Sequence, residues 1–537
     1  MFRRSAPPTR VPTDTVIPFR YFDDTPLWRS FILYSMFVYD EVLDPERLRN
    51  SLEELARRDG WQKIGARLRR NETGGLEYHV PIQFTTERSA VAYSHTTFDM
   101  LSTDHAVASR LPRPSATPAT VCDPDEFRSL FQKDGAPTEL NHYLNADVPQ
   151  IGLHIVSFKD KTLVSLYWPH TLMDALGKQD FLKAWTLVLQ GRADEVVPPL
   201  MPDNDPLSDL GKHPSEAHKL EKQRMSMLQL VGYGLGTIPS LFSSKKNRMV
   251  CVPAAFVQKL RREAYIDLAD ERAENCSISL TTGMANHSLS SADEPLSAPS
   301  SPSDGGFSPT SLSPTSSAIS YETKASTVAS DEDGYFLSDG DILCAWWTKL
   351  AVSHLPASSR RTVCINNAYS LRSPLAEDLL PQSNPYISNA VGFINVLLPV
   401  ADILSQPLGR VASTFRQTIK ALGTRAQVEA FASMWRESSA KLPPFFGDSG
   451  MHMVTYSNWC KARLFETDFS AAVPNWEPTE KMQKPLRPTY IQNCQFGLCL
   501  PNGFPIIGKD NDGNYWLSGY MNKGHWDQIE EQLARMV

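Results

Sequence analysis

The sequence predicts a protein of mixed α and β class that is organised in two halves. Apolar residues at helical spacing alternate along the chain with short runs of strand-forming residues bounded by turn residues. The length of 537 residues exceeds the size at which one hydrophobic core stops growing, and the 41% of hydrophobic residues can fill two cores. We therefore expect an N-terminal half over residues 1–240 and a C-terminal half over residues 241–537.

A serine-rich segment over about residues 277–333 interrupts the C-terminal half. Serine supplies 17 of the 54 residues from Ser277 to Ser330, and proline, glycine and threonine supply many of the others. Such a composition cannot bury enough apolar surface to offset the entropy that ordering costs. The segment is therefore predicted to be a disordered insertion.

The N-terminal half opens with a helix that carries signals at both ends. Asp44 can cap a helix that begins at Pro45, leucines recur on one face, and Gly60 ends the pattern. Alternating or continuous apolar runs then predict strands, and a pair of aromatic residues four apart predicts a second helix. The strands are expected at residues 76–81, 151–158 and 162–168, and the helix at about residues 173–185.

The C-terminal half has the same mixture of elements. Ser338 and Asp341 have the spacing of a capping box at the start of a helix. An apolar stripe over residues 408–422 that Gly423 ends, and another over residues 526–536, predict two more helices. Strands are expected at residues 391–400, 488–498 and 515–521.

Charge and cysteine usage exclude several classes of partner. A net charge of -7 gives no long-range attraction for nucleic acid or for an anionic membrane. The most apolar stretch, residues 229–243, is short and broken by glycines and a proline, so we expect it to be buried or to line a pocket. The eight cysteines lack C-x-x-C spacing and no secretory signal is present, so no metal site is expected and the protein is predicted to be cytoplasmic. We also expect it to be a monomer.

An H-x-x-x-D pattern occurs twice and is the strongest candidate for chemistry. His95 and Asp99 lie in a polar stretch that reads as a loop, whereas His170 and Asp174 stand between a predicted strand and a predicted helix. A histidine with an ordinary pKa of about 6.5 is suited to removing a proton from a hydroxyl or an amine near neutral pH. The local pattern alone leaves two interpretations of His170 open, a catalytic base or a polar residue at a turn.

The order of several segments along the chain resembles that of the BAHD acyltransferases. HTLMD at residues 170–174 is similar to the H-x-x-x-D motif of the family, and NPYISNAVGF at residues 384–393 is similar to its Asn-Ala-Val-Gly segment. LFETDFSAA at residues 464–472 lies where the family has Asp-Phe-Gly-Trp-Gly. The serine-rich insertion and the shortened last motif resemble the fungal secondary-metabolism branch, which includes trichothecene O-acetyltransferases. The resemblance favours His170 as a catalytic base and leaves His95 without a role.

The resemblance implies a fold, a reaction and a set of substrates. It implies two chloramphenicol-acetyltransferase-like domains with a solvent channel between them and with His170 inside the channel. It implies transfer of an acyl group, which we expect to be acetyl, from acyl-CoA to a hydroxyl of a small secondary metabolite, with an amine as the alternative acceptor. His170 would be the general base and no acyl-enzyme would form. The resemblance also implies that Asp174 turns away from the substrate to orient the loop by pairing with an arginine, for which Arg372 is our candidate.

The chain departs from the family pattern at two points. Ala175 replaces the glycine that usually follows the aspartate, and serine and alanines replace the Gly-Trp-Gly that would follow Phe469. The resemblance implies a structural role for Phe469 and for Asp468, with proton acceptance by Asp468 as an alternative. Donors to a developing oxyanion would be sought near Ser370 and Asn389.

Three other functional classes were weighed. A condensation domain of a peptide synthetase would have a second histidine where this chain has Pro169. A non-catalytic binding or scaffold protein that keeps the fold would agree with the altered last motif. A hydrolase is disfavoured because the sequence has no G-x-S-x-G motif.

Overall fold

A computed structural model describes residues 8–201, 203–286, 336–476, 484–499, 501–522 and 524–536. The helices are α1 (Pro26–Arg29), α2 (Pro45–Arg57), α3 (Arg128–Phe131), α4 (Leu140–Leu144), α5 (Ala175–Leu189), α6 (Met227–Phe242), α7 (Ala254–Asn286), α8 (Asp339–Val352), α9 (Val400–Ser405), α10 (Leu408–Leu422), α11 (Arg425–Arg436) and α12 (His525–Ala534). The strands are β1 (Thr15–Pro18), β2 (Phe31–Tyr39), β3 (Arg67–Arg70), β4 (Leu76–Val80), β5 (Ala92–Thr97), β6 (Ala119–Cys122), β7 (Gly152–Ser157), β8 (Thr162–Pro169), β9 (Lys245–Val252), β10 (Thr362–Ser370), β11 (Val391–Pro399), β12 (His452–Asn458), β13 (Tyr490–Gly497), β14 (Gly503–Lys509) and β15 (Tyr515–Asn522). The mixed α and β class expected from the sequence is confirmed.

Two of the predicted helix starts are formed as the sequence indicated. The Asp44 carboxylate accepts hydrogen bonds from the backbone N–H groups of Glu46 and Arg47 at the start of α2. Ser338 and Asp341 form the reciprocal capping box at the start of α8. Each cap satisfies backbone donors that a helix start would otherwise leave free.

The central sheet of the N-terminal half has the strand order β13-β2-β8-β7-β5. Its middle strand β8 pairs antiparallel with both β2 and β7, and all eight of its residues are buried. Helix α5 follows β8 directly and packs against α2 on one side of the sheet. A separate three-stranded sheet, β1-β4-β3, completes this half.

The C-terminal half contains a seven-stranded sheet of order β11-β10-β12-β14-β15-β9-β6. The pairs β10 with β12 and β12 with β14 are parallel, and the remaining pairs are antiparallel. Helices α7, α8 and α10 pack together, and their apolar faces form a second large core with the buried side of this sheet.

Each half contributes one strand to the sheet of the other. Strand β13 lies late in the chain but pairs along its whole length with β2. Strand β6 lies early in the chain but pairs with β9. Residues 1–240 and 241–537 therefore do not fold as two sheets that are separate in sequence, because hydrogen-bonded ladders cross between them.

Two expectations about local structure were wrong. Helix α7 runs to Asn286, so residues 277–286, the first part of the predicted disordered insertion, are helical, and residues 287–333 of the insertion lie outside the described residues. The apolar segment 229–243 belongs to α6, which lies on the surface instead of being buried. One face of α6 packs on the body of the protein through Leu230 and Tyr233.

The other face of α6 exposes apolar side chains. Those that the structure describes as exposed are Met227, Leu228, Val231, Leu235 and Ile238. The hydropathy of a segment shows how apolar it is but not which of its faces is covered by other elements. The prediction that this segment is buried was wrong for that reason. No helix among the described residues has the length and hydropathy needed to cross a membrane.

Candidate active site

His170 is the first residue after β8. Its backbone N–H donates to the carbonyl oxygen of Phe31 at 3.0 Å, which extends the ladder between β8 and β2 by one bond. Because β8 is the buried middle strand of its sheet, the backbone of His170 is held by a rigid element. The residue as a whole is half-buried, and Nδ1 of its ring is buried.

The imidazole of His170 lies against two aromatic rings of the N-terminal half. Trp28 stacks on it with ring centroids 4.3 Å apart and an interplanar angle of 22°, and Phe31 lies at 6.2 Å. Trp28 belongs to α1, a single turn that Thr25 caps through a hydrogen bond from the Trp28 backbone N–H. No pattern in the sequence indicates this contact, since a lone tryptophan in a short helix is most often a core residue.

The environment of His170 favours the neutral imidazole. Burial lowers the pKa of His170 below its ordinary value, and smaller opposing effects come from its own backbone carbonyl and from the Asp174 carboxylate. Nδ1 is buried and has no hydrogen-bond partner among the described residues. A neutral histidine at neutral pH is the form that can act as a base.

Asp174 points away from the imidazole and caps α5. Its Oδ1 accepts hydrogen bonds from the backbone N–H groups of Leu176 at 3.1 Å and Gly177 at 2.8 Å. Its Oδ2 accepts a third backbone hydrogen bond from Ala390 at 2.9 Å. The carboxylate is 4% exposed, so its charge is held by donors and not by water.

Arg372 forms a two-pronged ion pair with Asp174. Nη1 of Arg372 lies 2.8 Å from Oδ2 and Nη2 lies 2.9 Å from Oδ1. The same guanidinium donates to the carbonyl oxygens of Tyr386 and Ser388 at 3.0 and 3.2 Å. The contact expected from the family resemblance is therefore present, and it joins the start of α5 to the C-terminal half.

The position of the glycine near Asp174 has a steric explanation. A Cβ atom on residue 177 would lie 3.0 Å from the Cβ of Met173 and 3.3 Å from the carbonyl oxygen of Tyr386. Gly177 thus allows the backbone of the C-terminal half to approach the first turn of α5. Ala175 is the first residue of α5, and the Asp174 cap does not use its backbone N–H.

Residues 386–390, which we call the crossing segment, connect His170 to the C-terminal half. Within it, the Nδ2 group of Asn389 donates to the carbonyl oxygen of His170 at 2.9 Å and to Oδ1 of Asp23 at 2.8 Å. The backbone N–H of Asn389 also donates to Asp23, at 2.7 Å. Both amide hydrogens of Asn389 are therefore used inside the protein, and Asn389 is not the oxyanion donor that we expected near this position.

Ser370 has a half-buried side chain at the end of β10. Its Oγ accepts a hydrogen bond from the backbone N–H of Arg372 at 3.3 Å. This contact belongs to the loop that carries Arg372 and does not identify Ser370 as an oxyanion donor.

Asp468 and Phe469 lie near the opposite end of β2 from His170. Phe469 is fully buried, stacks on Tyr39 at 5.3 Å and meets Trp185 edge-on at 4.7 Å. His170 is bonded to Phe31 at the start of β2, and Tyr39 is eight residues further along that strand, about 26 Å at 3.3 Å per residue. Asp468 Oδ1 accepts backbone hydrogen bonds from Ser470 and Leu486, both at 2.9 Å.

This position decides between the two roles considered for Asp468. A carboxylate at the far end of β2 cannot receive the proton that His170 removes, so Asp468 as a second proton acceptor is not compatible with the structure. Asp468 and Phe469 instead hold a buried loop against the N-terminal core.

His95 lies on a strand and not in a loop as the sequence predicted. It belongs to the edge strand β5, and its Nε2 is 3.0 Å from the hydroxyl of Ser157 on β7. Asp99 is exposed and pairs with Lys159 at 2.8 Å. The second H-x-x-x-D pattern is therefore not assembled around a common site.

A small pocket lies beside the crossing segment, and His170 is not among its lining residues. The residues that line it are Arg20, Gly60, Trp61, Lys63, Ile64, Pro199, Leu200 and Ile387. Over the described ranges we find no group of three or more His, Cys, Asp or Glu side chains arranged to hold a metal ion.

Comparison with known proteins gives a consistent family. Residues 122–484 match the Transferase family. "Transcriptional regulator calD" of Penicillium decumbens is 37% identical, with 99% of this chain and 98% of that protein covered. "Acetyltransferase sphE" of Aspergillus fumigatus is 33% identical, with 99% of this chain and 98% of that protein covered.

A solved structure shows the same fold. F. sporotrichioides TRI101 complexed with coenzyme A and T-2 superimposes with a TM-score of 0.63 at 12% identity, covering 97% of this chain and 99% of that one. The family match spans more than half of the chain, and the segments around His170, Asn389 and Asp468 follow one another in the order of the family's motifs. The chain therefore belongs to the Transferase family, in the BAHD-type group of fungal acyltransferases.

Proposed function

We propose that the protein transfers an acyl group from acyl-CoA to a hydroxyl group of a secondary metabolite, with His170 as the general base. The observation that carries this proposal is a half-buried His170 at the end of a rigid strand, where burial lowers its pKa and the Asp174 carboxylate pairs with Arg372. Family membership supports the acyltransfer chemistry. The names of the relative sphE, an acetyltransferase, and of the TRI101 complex with coenzyme A support acetyl-CoA as the donor to test first.

The reaction needs one base and no covalent intermediate on the protein. Nε2 of His170 accepts the proton of the acceptor hydroxyl while the oxygen attacks the thioester carbonyl carbon. The tetrahedral intermediate collapses, the carbon–sulfur bond breaks, and the imidazolium returns the proton to the thiolate of coenzyme A. The histidine is neutral again at the end, so no second acid or base is required.

The remaining residues act by holding His170 in place. The hydrogen bonds to Phe31 and Asn389 fix its backbone from both halves, and Trp28 covers one face of its ring. Asp174 and Arg372 anchor the turn after His170 to the C-terminal half. In this proposal Asp174 exchanges no proton, because its oxygens are already occupied by five donors.

Access of two substrates to His170 is part of the proposal. The ring of His170 lies against Trp28 and Phe31 of the N-terminal half, and its backbone carbonyl accepts a hydrogen bond from Asn389 of the C-terminal half. A channel along this contact would let acyl-CoA and the acceptor approach His170 from different sides, as the family resemblance implies. We propose a hydroxyl acceptor, with an amine as the alternative.

A second candidate function is regulation without catalysis. It is favoured by one observation, the name of the relative calD, a "Transcriptional regulator" that is 37% identical over nearly the whole chain. A regulator that keeps this fold would bind a small molecule in the same place without releasing coenzyme A.

Release of free thiol separates the two functions. Purified protein is incubated with a panel of fungal terpenoid and polyketide alcohols and with acetyl-CoA, and then with longer acyl-CoA donors. Free thiol is measured with a chromogenic disulfide, and the acylated product is detected by mass spectrometry. We expect acceptor-dependent thiol release, with kcat lower by about 10²- to 10⁴-fold in His170→Ala. His95→Ala is the matched control and should keep the rate of the unmodified protein.

Two results would contradict the proposal. Acylated product formed at the same rate by His170→Ala would remove the histidine from the mechanism. Saturable binding of an alcohol, with no acylated product for any donor in the panel, would instead favour regulation.

A further inference from the structure

The crossing segment is held by side chains from separate parts of the chain. On one side, Arg372 and Asp174 bond to its carbonyl oxygens and to the N–H of Ala390. On the other side, Asp23 accepts both the backbone N–H and the side-chain amide of Asn389. Of these two sets of contacts, the family resemblance implied only the first, the pairing of Asp174 with Arg372.

Asn389 is the residue through which this segment touches His170. Its side-chain amide has two hydrogens, and one is given to the His170 carbonyl while the other is given to Asp23. Oδ1 of Asn389 has no partner among the described residues, so its hydrogen bonds come from the amide nitrogen alone. Asp23 therefore decides how the Asn389 amide is turned.

Asp23 also belongs to the chain segment that covers the imidazole. Four residues separate it from Trp28, whose ring stacks on His170, and Thr25 between them caps the short helix α1. The bonds from Asp23 to Asn389 thus link the residue that holds the His170 backbone to the residue that covers its ring.

The surroundings of Asp23 make this link rigid. Asp23 is 0% exposed, and its Oδ2 has no hydrogen-bond partner among the described residues. Two buried basic side chains contact the crossing segment beside Asn389, since Lys63 and Arg20 both donate to the hydroxyl of Ser388 at 2.9 Å. Lys63 donates also to the carbonyl oxygen of Ile387 at 2.7 Å.

We propose that Asp23 is a positioning residue for His170 and acts by orienting the amide of Asn389. The proposal rests on the proposed function, because it assigns to Asp23 the placement of the base in that reaction. What Asp23 contributes is an acceptor oxygen at a fixed place. Its negative charge is not the required feature.

The expected effect is on turnover and not on binding. A shift of about 1 Å in the position of a catalytic group can cost about 10²-fold in rate. We expect Asp23→Ala and Asn389→Ala to lower kcat by about that factor, while KM for acyl-CoA stays within about threefold.

Two isosteric variants separate positioning from charge and from packing. Asp23→Asn keeps an oxygen that can accept hydrogen bonds from the backbone N–H and from the side-chain amide of Asn389. It should therefore retain kcat within about fivefold of the unmodified enzyme, a much smaller loss than a 1 Å shift would cause. Asn389→Asp keeps the size of the side chain but cannot donate to the His170 carbonyl, so it should lose as much as Asn389→Ala. Equal losses in Asp23→Asn and Asp23→Ala would overturn the proposal, because they would show that charge is what matters.

Asp24 offers a matched control. It is a buried neighbour of Asp23 that pairs with Arg29 and with Lys441 at 3.2 Å and has no contact with Asn389. Asp24→Ala should lower the melting temperature but leave kcat of the folded fraction within about threefold, a smaller change than a 1 Å displacement of the base would produce. A loss of kcat in Asp24→Ala equal to that in Asp23→Ala would reduce the Asp23 effect to general destabilisation and overturn the proposal.

A measurement without substrate distinguishes failure of this inference from failure of the proposed function. With histidine labelled at ¹³Cε1, the His170 resonance is identified by its absence in His170→Ala. It should shift or broaden in Asp23→Ala and Asn389→Asp and stay in place in Asp23→Asn. An unchanged resonance in Asp23→Ala and Asn389→Asp would overturn the positioning role, whereas a protein that never releases coenzyme A would overturn only the reaction.

Discussion

Replacing Asp174 by alanine should unfold the protein more easily as well as slow it. The carboxylate of Asp174 is 4% exposed and makes a two-pronged ion pair with Arg372, whose side chain is 16% exposed. Removing one partner of a buried pair costs about 3–5 kcal/mol, because the other charge stays buried without compensation. Loss of the cap on α5 adds about 1 kcal/mol.

These contributions amount to about 4–6 kcal/mol, a large part of the 5–15 kcal/mol that a folded domain typically has. We therefore expect the melting temperature of Asp174→Ala to fall by about 10 °C or more. Differential scanning calorimetry and urea denaturation followed by tryptophan fluorescence measure the loss. The kinetic effect is read in the thiol-release assay at a temperature where both proteins are folded.

A double-variant cycle tests the physical reason. If the stranded guanidinium causes the loss, Asp174→Ala combined with Arg372→Met should be less destabilised than the sum of the two single variants. The control is Asp209→Ala, which breaks an exposed pair with Lys212 and should leave the melting temperature unchanged.

Two results would refute the reasoning about Asp174. One is a melting temperature in Asp174→Ala equal to that of the unmodified protein. The other is strict additivity in the cycle, since two side chains that do not interact lose their contributions independently.

Three further predictions follow from the site. Burial lowers the pKa of His170, and the base must be deprotonated to act. The value of kcat/KM should therefore persist below pH 6.5 and fall only as the pH drops through the lowered pKa. An acid limb at or above pH 6.5 would contradict this. Burial lowers the pKa of Lys178 from 10.5 to about 7, so the unfolded chain binds more protons than the folded one between these pH values, and the free energy of unfolding should rise with pH there. In urea titrations, Lys178→Met should flatten this dependence on pH. An unchanged dependence would show that Lys178 is not its source. Asp468→Ala, which strands two backbone donors of a buried loop, should lower the melting temperature while leaving the acid limb in place, and a shifted limb would argue for a proton-transfer role.

Much of the local structure could be predicted because the signals are local. Asp44 and the pair Ser338 and Asp341 cap helices a few residues away, and the alternation of β7 and β8 sets a strand pair joined by a short turn. Strands follow from the periodicity of the backbone, and a capping side chain lies within one turn of the backbone N–H groups that it satisfies. The place of His170 between a strand and a helix made it a candidate in the same way, and the family resemblance favoured it as the base.

The contact between Asp174 and Arg372 was predicted through family resemblance and not through spacing. The two residues are 198 positions apart, and nothing in either local sequence indicates the other. The exposed face of α6 and the distance of Asp468 from His170 were missed for a related reason. A hydropathy pattern or a motif does not say what lies across from it in the fold.

The sequence by itself determined the class of the fold, several of its helices and strands, and the histidine at the end of β8. Only the tertiary structure decided what surrounds that histidine, because Asn389 and Asp23 reach it from positions 219 and 147 residues away along the chain. It also decided that β13 and β6 exchange between the two sheets. Those contacts form where separate segments of the chain pack together and bury polar groups, which must then find hydrogen-bond partners in the other segment. A short stretch of sequence does not show which other segment will supply those partners.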